Sequence, residues 1–259
     1  MSQWSKPLGE SSTQAAANAG LVTRRASGDG TGEVSSFPSL TTGRENLMSV
    51  DSSWVSQIER EWAQLRQSDA SLDVERFFRH VVSANKVGFL SLESIAAIAN
   101  GLLTSALPGA PYLGRRLLEL VGPGRHPSLR VALALSLVTE TGGPADYEGG
   151  HVILWDVLKD DTASDPLRGM AAAALADSAR LGRGMDSDLE MAKGMYATAL
   201  ELGHRAAAYN LGLYWEGHWD KSAPGDLVPD RTKAAQAYKR GGSNAKCVAR
   251  LDALRTRSS

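Results

Sequence analysis

Two stretches toward the C-terminal end of the chain echo each other, Asp188-Leu-Glu-Met-Ala-Lys-Gly-Met-Tyr-Ala-Thr-Ala199 and Asp230-Arg-Thr-Lys-Ala-Ala-Gln-Ala-Tyr-Lys-Arg-Gly241. Each places an alanine four positions (Ala192, Ala234) and a tyrosine eight positions (Tyr196, Tyr238) after its aspartate. Each also follows an alanine-rich helical pattern, centred on Leu175 or on Leu211. Such a repeat predicts helical hairpins, units that cannot bury their apolar faces singly and must stack on a neighbour. The spacing runs backwards as well: Tyr238 lies 42 residues after Tyr196 and Tyr196 41 after Trp155, while Leu211 lies 36 after Leu175 and Leu175 40 after Leu135. An aromatic residue therefore recurs on the second arm of each hairpin and a leucine on the first. Ala171 to Ala174, Ala176, Ala179 and Ala206 to Ala208 remove bulk so that helices approach closely, and Leu and Tyr fill the space between layers.

The rest of the chain divides by pattern. Residues 1–50 are rich in Ser, Thr, Gly and Ala, lack periodic apolar residues and are expected to be disordered. Helical periodicity begins after Asp51, with Trp54, Ile58, Trp62 and Leu65 on one stripe and Phe77, Phe78, Val81 and Val82 on a second. A third carries Leu92, Ile95, Ile98, Ala99 and Leu102 behind the cap Ser91. Further helices are expected over 112–121, 129–139 and 151–159. Asp165-Pro166 is expected to start another, with Asp165 as the cap and Pro166 at the first helical position. Later helices are expected over 167–181, 189–202, 206–216, 232–240 and 245–254, with Gly203 and Gly217 as left-handed terminators. No alternating β-branched run competes, so the fold is expected to be all-α. Region 51–165 is either a set of degenerate repeats or a helical cap, 166–254 holds the clear repeats, and 255–259 is a basic tail.

Composition removes several function classes. With 28 basic and 29 acidic residues the net charge is -1, which gives no global field for nucleic acid or an anionic membrane. The longest apolar run, 131–138, is far below the roughly 20 residues of a membrane span. Cys247 is the only cysteine, no Asn-x-Ser/Thr acceptor occurs and the first residues lack a secretory core. An intracellular, cytoplasmic location is expected. Arg24-Arg25-Ala26-Ser27 fits a basophilic-kinase site at Ser27. The same arginines suit a mitochondrial presequence, against which stand Glu10, Asp29 and Glu33.

Ala206-Ala-Ala-Tyr209-Asn-Leu-Gly-Leu-Tyr214-Trp-Glu-Gly217, followed by Asp230, Lys233, Ala234 and Tyr238, resembles the Sel-one-like repeat, a relative of the tetratricopeptide repeat. The preceding unit keeps Leu175, Gly182, Asp188, Ala192, Tyr196, Ala199 and Gly203. The resemblance covers about 85 of 259 residues and is clearest over 167–254. It departs in the extra residues between Gly217 and Asp230 and in ending on Gly241 where the family has alanine. It implies a right-handed α-solenoid of antiparallel hairpins that works as an adaptor or assembly scaffold, its concave face built by the first helices. On that reading the partner is a protein or peptide, and Arg168, Asp177, Arg205, Asn210 and Tyr214 are the residues expected to face it. The Asn210 amide suits the backbone of an extended peptide. Trp219, in the inserted loop 217–229, is either an anchor for a partner or, with Leu227, a seal over the end of the stack.

Motifs for chemistry are not found. The five histidines, His80, His126, His151, His204 and His218, lack the spacing of a metal or base pair. His204, His218 and Cys247 are the one ligand set that can be drawn. Gly28-Asp-Gly-Thr-Gly32 lacks the strand and helix of a phosphate loop. The expectation is no enzyme, no cofactor and no metal. The alternative is a catalytic or ligand-binding domain in 51–165, around His80, Glu93 or His126, with the repeats as an accessory.

Overall fold

The structure is a computed structural model that describes residues 52–122, 124, 126–219 and 229–256. The expected tail over 1–50, Ser27, the side chain of Trp54, Leu227 and the basic end 257–259 lie outside the described residues. Among the described residues there are eleven helices and no strand. They are α1 Ser52–Arg66, α2 Val74–Lys86, α3 Leu92–Thr104, α4 Ala110–Val121, α5 Pro127–Val138, α6 Tyr147–Lys159, α7 Asp165–Leu181, α8 Leu189–Glu201, α9 Ala207–Trp215, α10 Arg231–Arg240 and α11 Ala245–Thr256. Chain neighbours pack most closely as α3 with α4, α5 with α6, α7 with α8 and α9 with α10. Next-but-one contacts such as α3 to α5 and α5 to α7 join these pairs.

The recurring aspartates are helix caps. Asp146, Asp188 and Asp230 accept from the amides of Gly149, Met191 and Lys233 at 2.9, 2.8 and 2.9 Å, which starts α6, α8 and α10. They lie 42 residues apart in both steps, so the period reaches one hairpin further back than the tyrosines suggest. In that earlier unit Gly150 and Leu154 take the positions of Ala192 and Tyr196. The expected equivalence of Trp155 is corrected. Leu154 is fully buried, and Trp155 is half-buried with the Lys159 ammonium 5.7 Å from its ring. Helix α6 also begins earlier than position 151, because Asp146 caps it and Gly149 and Gly150 enter its first turn. A Cβ on Gly150 would lie 2.6 Å from Cγ1 of Val138, so the glycine is what lets α6 lie close against α5.

Two other expectations change at helix starts. Ser164, not Asp165, is the cap residue of α7, and Asp165 with Pro166 forms its first turn, where Asp165 pairs with Arg168 at 3.5 Å. Leu92 is exposed, since it starts α3 outside the stripe that Ile95, Ile98, Ala99 and Leu102 bury. Gly203 and Gly217 have φ of 85° and 73°, the left-handed terminators expected after α8 and α9.

The core falls into three clusters. The first joins α1 to α5 around Phe77, Ile95, Ile98, Leu102 and Leu117. The middle one joins α5, α6 and α7 around Leu135, Leu154 and Leu175, and so crosses position 165. The third joins α7 to α11 around Tyr196, Leu211 and Tyr238. Tyr196 and Tyr238 are 1% and 0% exposed.

Candidate interaction surface

Helices α7, α8 and α9 converge on one hydroxyl. That of Tyr196, on α8, donates to Oδ1 of Asp177 on α7. It accepts from Nδ2 of Asn210 on α9 at 3.0 Å and from Nε of Arg180 at 3.3 Å. Arg180 stands one turn after Asp177 and brings its Nη2 within 3.6 Å of that carboxylate. Burial pushes the Asp177 carboxyl above its ordinary pKa, against the opposing pull of the Tyr196 hydrogen bond and of the Arg180 and Arg183 charges. Burial also raises the Tyr196 hydroxyl well above its usual value, and the Asp177 charge adds to this, so the tyrosine stays a neutral donor.

Trp219 covers this network. Its ring lies 5.3 Å from Tyr196 and 5.2 Å from Tyr214, with the Arg180 guanidinium 5.8 Å from its centroid. Tyr214 donates to Glu190 of α8, which Lys193 also engages, and the Lys193 ammonium sits 5.2 Å from the Tyr214 ring.

Beside Asp177 a narrow cleft opens between α5 and α7. Leu135, Val138 and Met170 form its apolar wall, and Asp177, Arg180 and Arg183 its polar edge. The Arg183 side chain makes no hydrogen bond or ion pair among the described residues. Two guanidinium groups face one carboxyl whose charge burial disfavours, so the edge has donors to spare for a carbonyl or carboxylate beside an apolar wall, in a cleft with only about 30 Å³ of free space.

Of the residues expected to face a partner, Asp177, Asn210, Tyr214 and Trp219 are gathered around Tyr196. Arg168 and Arg205 are not part of that group. Arg168 donates to the Leu158 carbonyl at 3.1 Å, and exposed Arg205 reaches toward the turn at Gly242. Asn210 and Tyr214 are 7% and 5% exposed. The Asn210 amide is engaged by Tyr196, so it positions that hydroxyl and is not set to pair with a peptide backbone. Arg180, Arg183 and the Tyr196 hydroxyl were missed by sequence reasoning, which cast Tyr196 as packing alone. The available signal was Asp177 and Arg180 at a helical i, i+3 spacing inside the alanine run.

The histidines are held in other ways. His80 Nδ1 lies 2.8 Å from Glu61, a buried carboxylate that Gln57 and Arg76 also reach, at 2.7 and 3.4 Å. His126 lies 3.1 Å from Glu93, and His218 lies 3.0 Å from Glu216. Burial lowers the pKa of His151 and of His204, and among the described residues the Nε2 atoms of both have no hydrogen-bond partner. Among the described residues no three His, Cys, Asp or Glu side chains gather as a metal site, and no helix is long and apolar enough to cross a membrane. The cleft at Asp177 includes none of His80, Glu93 and His126. No protein-family model matches the chain, and no curated protein matches it.

Proposed function

We propose that the chain is a non-enzymatic adaptor, a right-handed solenoid of Sel-one-like hairpins that holds an extended segment of a partner protein along the first arms of successive units. The observation that carries this reading is the cleft between α5 and α7, two such first arms, with Arg183 at its edge making no hydrogen bond or ion pair through its side chain among the described residues. The 42-residue recurrence of Asp146, Asp188 and Asp230 supports it, since regular units present regular clefts. An extended peptide offers carbonyls to Arg183 and an aliphatic side chain to the wall of Leu135 and Met170. Asn210 and Tyr196 act behind the surface by fixing Asp177 and Arg180.

The test starts with peptides selected from a random display library on the full chain. They are titrated against the wild type, Arg183→Ala and Met170→Asp, with circular dichroism to verify the fold. Each substitution is expected to weaken binding by about tenfold or more. Peptides that bind all three proteins equally would remove the cleft from the proposal.

A further inference from the structure

We infer a second docking surface, between α10 and α11, that takes an acidic amphipathic helix of a partner protein. Arg231, Ala235 and Lys239 line one side of α10, and Leu251, Leu254 and Arg255 face them from α11 across an open groove of about 550 Å³. The opposite side of α10, with Ala234, Ala237 and Tyr238, is buried in the third core cluster, against which Leu251 and Leu254 pack with part of their surface while the rest lines the groove.

Charge and shape together select the occupant. Helix α10 carries Arg231, Lys233, Lys239 and Arg240 and no acidic residue. Lys233 is paired with Asp230 at 3.3 Å and Arg255 with Asp252 at 3.3 Å. Among the described residues, Arg231 and Lys239 make no ion pair and no carboxylate lines the groove. These two cations stand at i and i+8 on one ridge, about 12 Å apart, the span of about two turns on a helix lying alongside. Leu251 and Leu254, one turn apart and half-buried, give that helix an apolar floor into which a leucine stripe fits. A nucleic acid would leave this floor unused, and among the described residues no aromatic ring lines the groove for bases to stack on.

The probe is a labelled synthetic peptide of about five helical turns with a leucine stripe at helical spacing and glutamates elsewhere. Its anisotropy is titrated with the full chain, beside a peptide of the same composition with the stripe scrambled and a single-stranded DNA oligonucleotide. The striped peptide is expected to bind and to weaken as salt rises to about 0.5 M. In Arg231→Glu/Lys239→Glu, which alters two exposed side chains, and in Leu254→Asp, its affinity should drop about tenfold or more. Arg183→Ala, at the other cleft, leaves it unchanged. Equal binding by the scrambled peptide or the oligonucleotide, or affinity indifferent to the charge reversal, overturns the inference.

Discussion

Tyr196 and Tyr238 hold the same position in the repeat and are buried alike, yet their hydroxyls meet opposite conditions. The first is shared by Asp177, Arg180 and Asn210. The second has no hydrogen-bond partner among the described residues, and burial drives its pKa upward. A hydroxyl taken from water without a replacement partner costs stability, whereas removing one that serves other buried polar groups leaves those groups unsatisfied. Tyr238→Phe is therefore expected to hold stability or raise it by up to about 1 kcal/mol, and Tyr196→Phe to lower it by about 1–3 kcal/mol. Urea unfolding of both variants at neutral pH decides this, and equal losses would mean that the difference in hydrogen-bond partners has no energetic consequence. The spacing in the sequence marks both rings as core but is silent on what lies opposite the oxygen. Asp177 and Asn210 meet Tyr196 only when α7 and α9 fold against α8, and the ring that packs beside Tyr238, 6.3 Å away, is that of Tyr209.

Helices were legible where one face is apolar and a cap precedes it. Ser91, Asp188 and Asp230 each sit at the start of a helix whose bounds match the periodicity to within a residue or so. Legibility failed at α6, because Gly149-Gly150 reads as a turn when its neighbours are unseen and only the packing against Val138 explains a glycine there. The same ambiguity separates two glycines further on. Gly194 lies within α8 with nothing near its missing side chain, so Gly194→Ala is expected to stabilise by about 0.5–1 kcal/mol through helix propensity alone. Gly212 lies within α9 under the Tyr238 ring, where a Cβ would approach Cε1 to 2.2 Å. Gly212→Ala is expected to destabilise by about 1–3 kcal/mol by forcing that ring aside. Thermal melts of the two variants should move in opposite directions, and a stabilising Gly212→Ala would show that α9 and α10 are not in close apposition.

At the scale of the whole molecule, α5 and α7 are the shared walls. Leu129, Ala132, Leu133 and Leu137 of α5 belong to the first cluster, while Val131, Ala134, Leu135 and Val138 belong to the middle one. Helix α7 divides in the same way, with Ala171, Ala174 and Leu175 in the middle cluster and Ala172, Ala173, Ala176 and Ala179 in the third. A helix buried on two sides loses its amphipathic stripe, which is why these two segments read as apolar runs and gave no hint of which neighbour each face would meet. Energetic coupling should follow the same walls, strong within a cluster and weak between separate ones. Gly150→Ala tests this, since its new methyl group collides with Val138. Alone it is expected to cost about 1–3 kcal/mol, and in a Val138→Ala background that cost should shrink by about 1 kcal/mol or more. Combined instead with Cys247→Ala, a substitution in the third cluster, the two effects should add to within about 0.5 kcal/mol. Urea unfolding of the two double-mutant cycles measures both couplings. Coupling to Cys247 as strong as that to Val138 would mean that strain travels through the chain as one block and not from wall to wall.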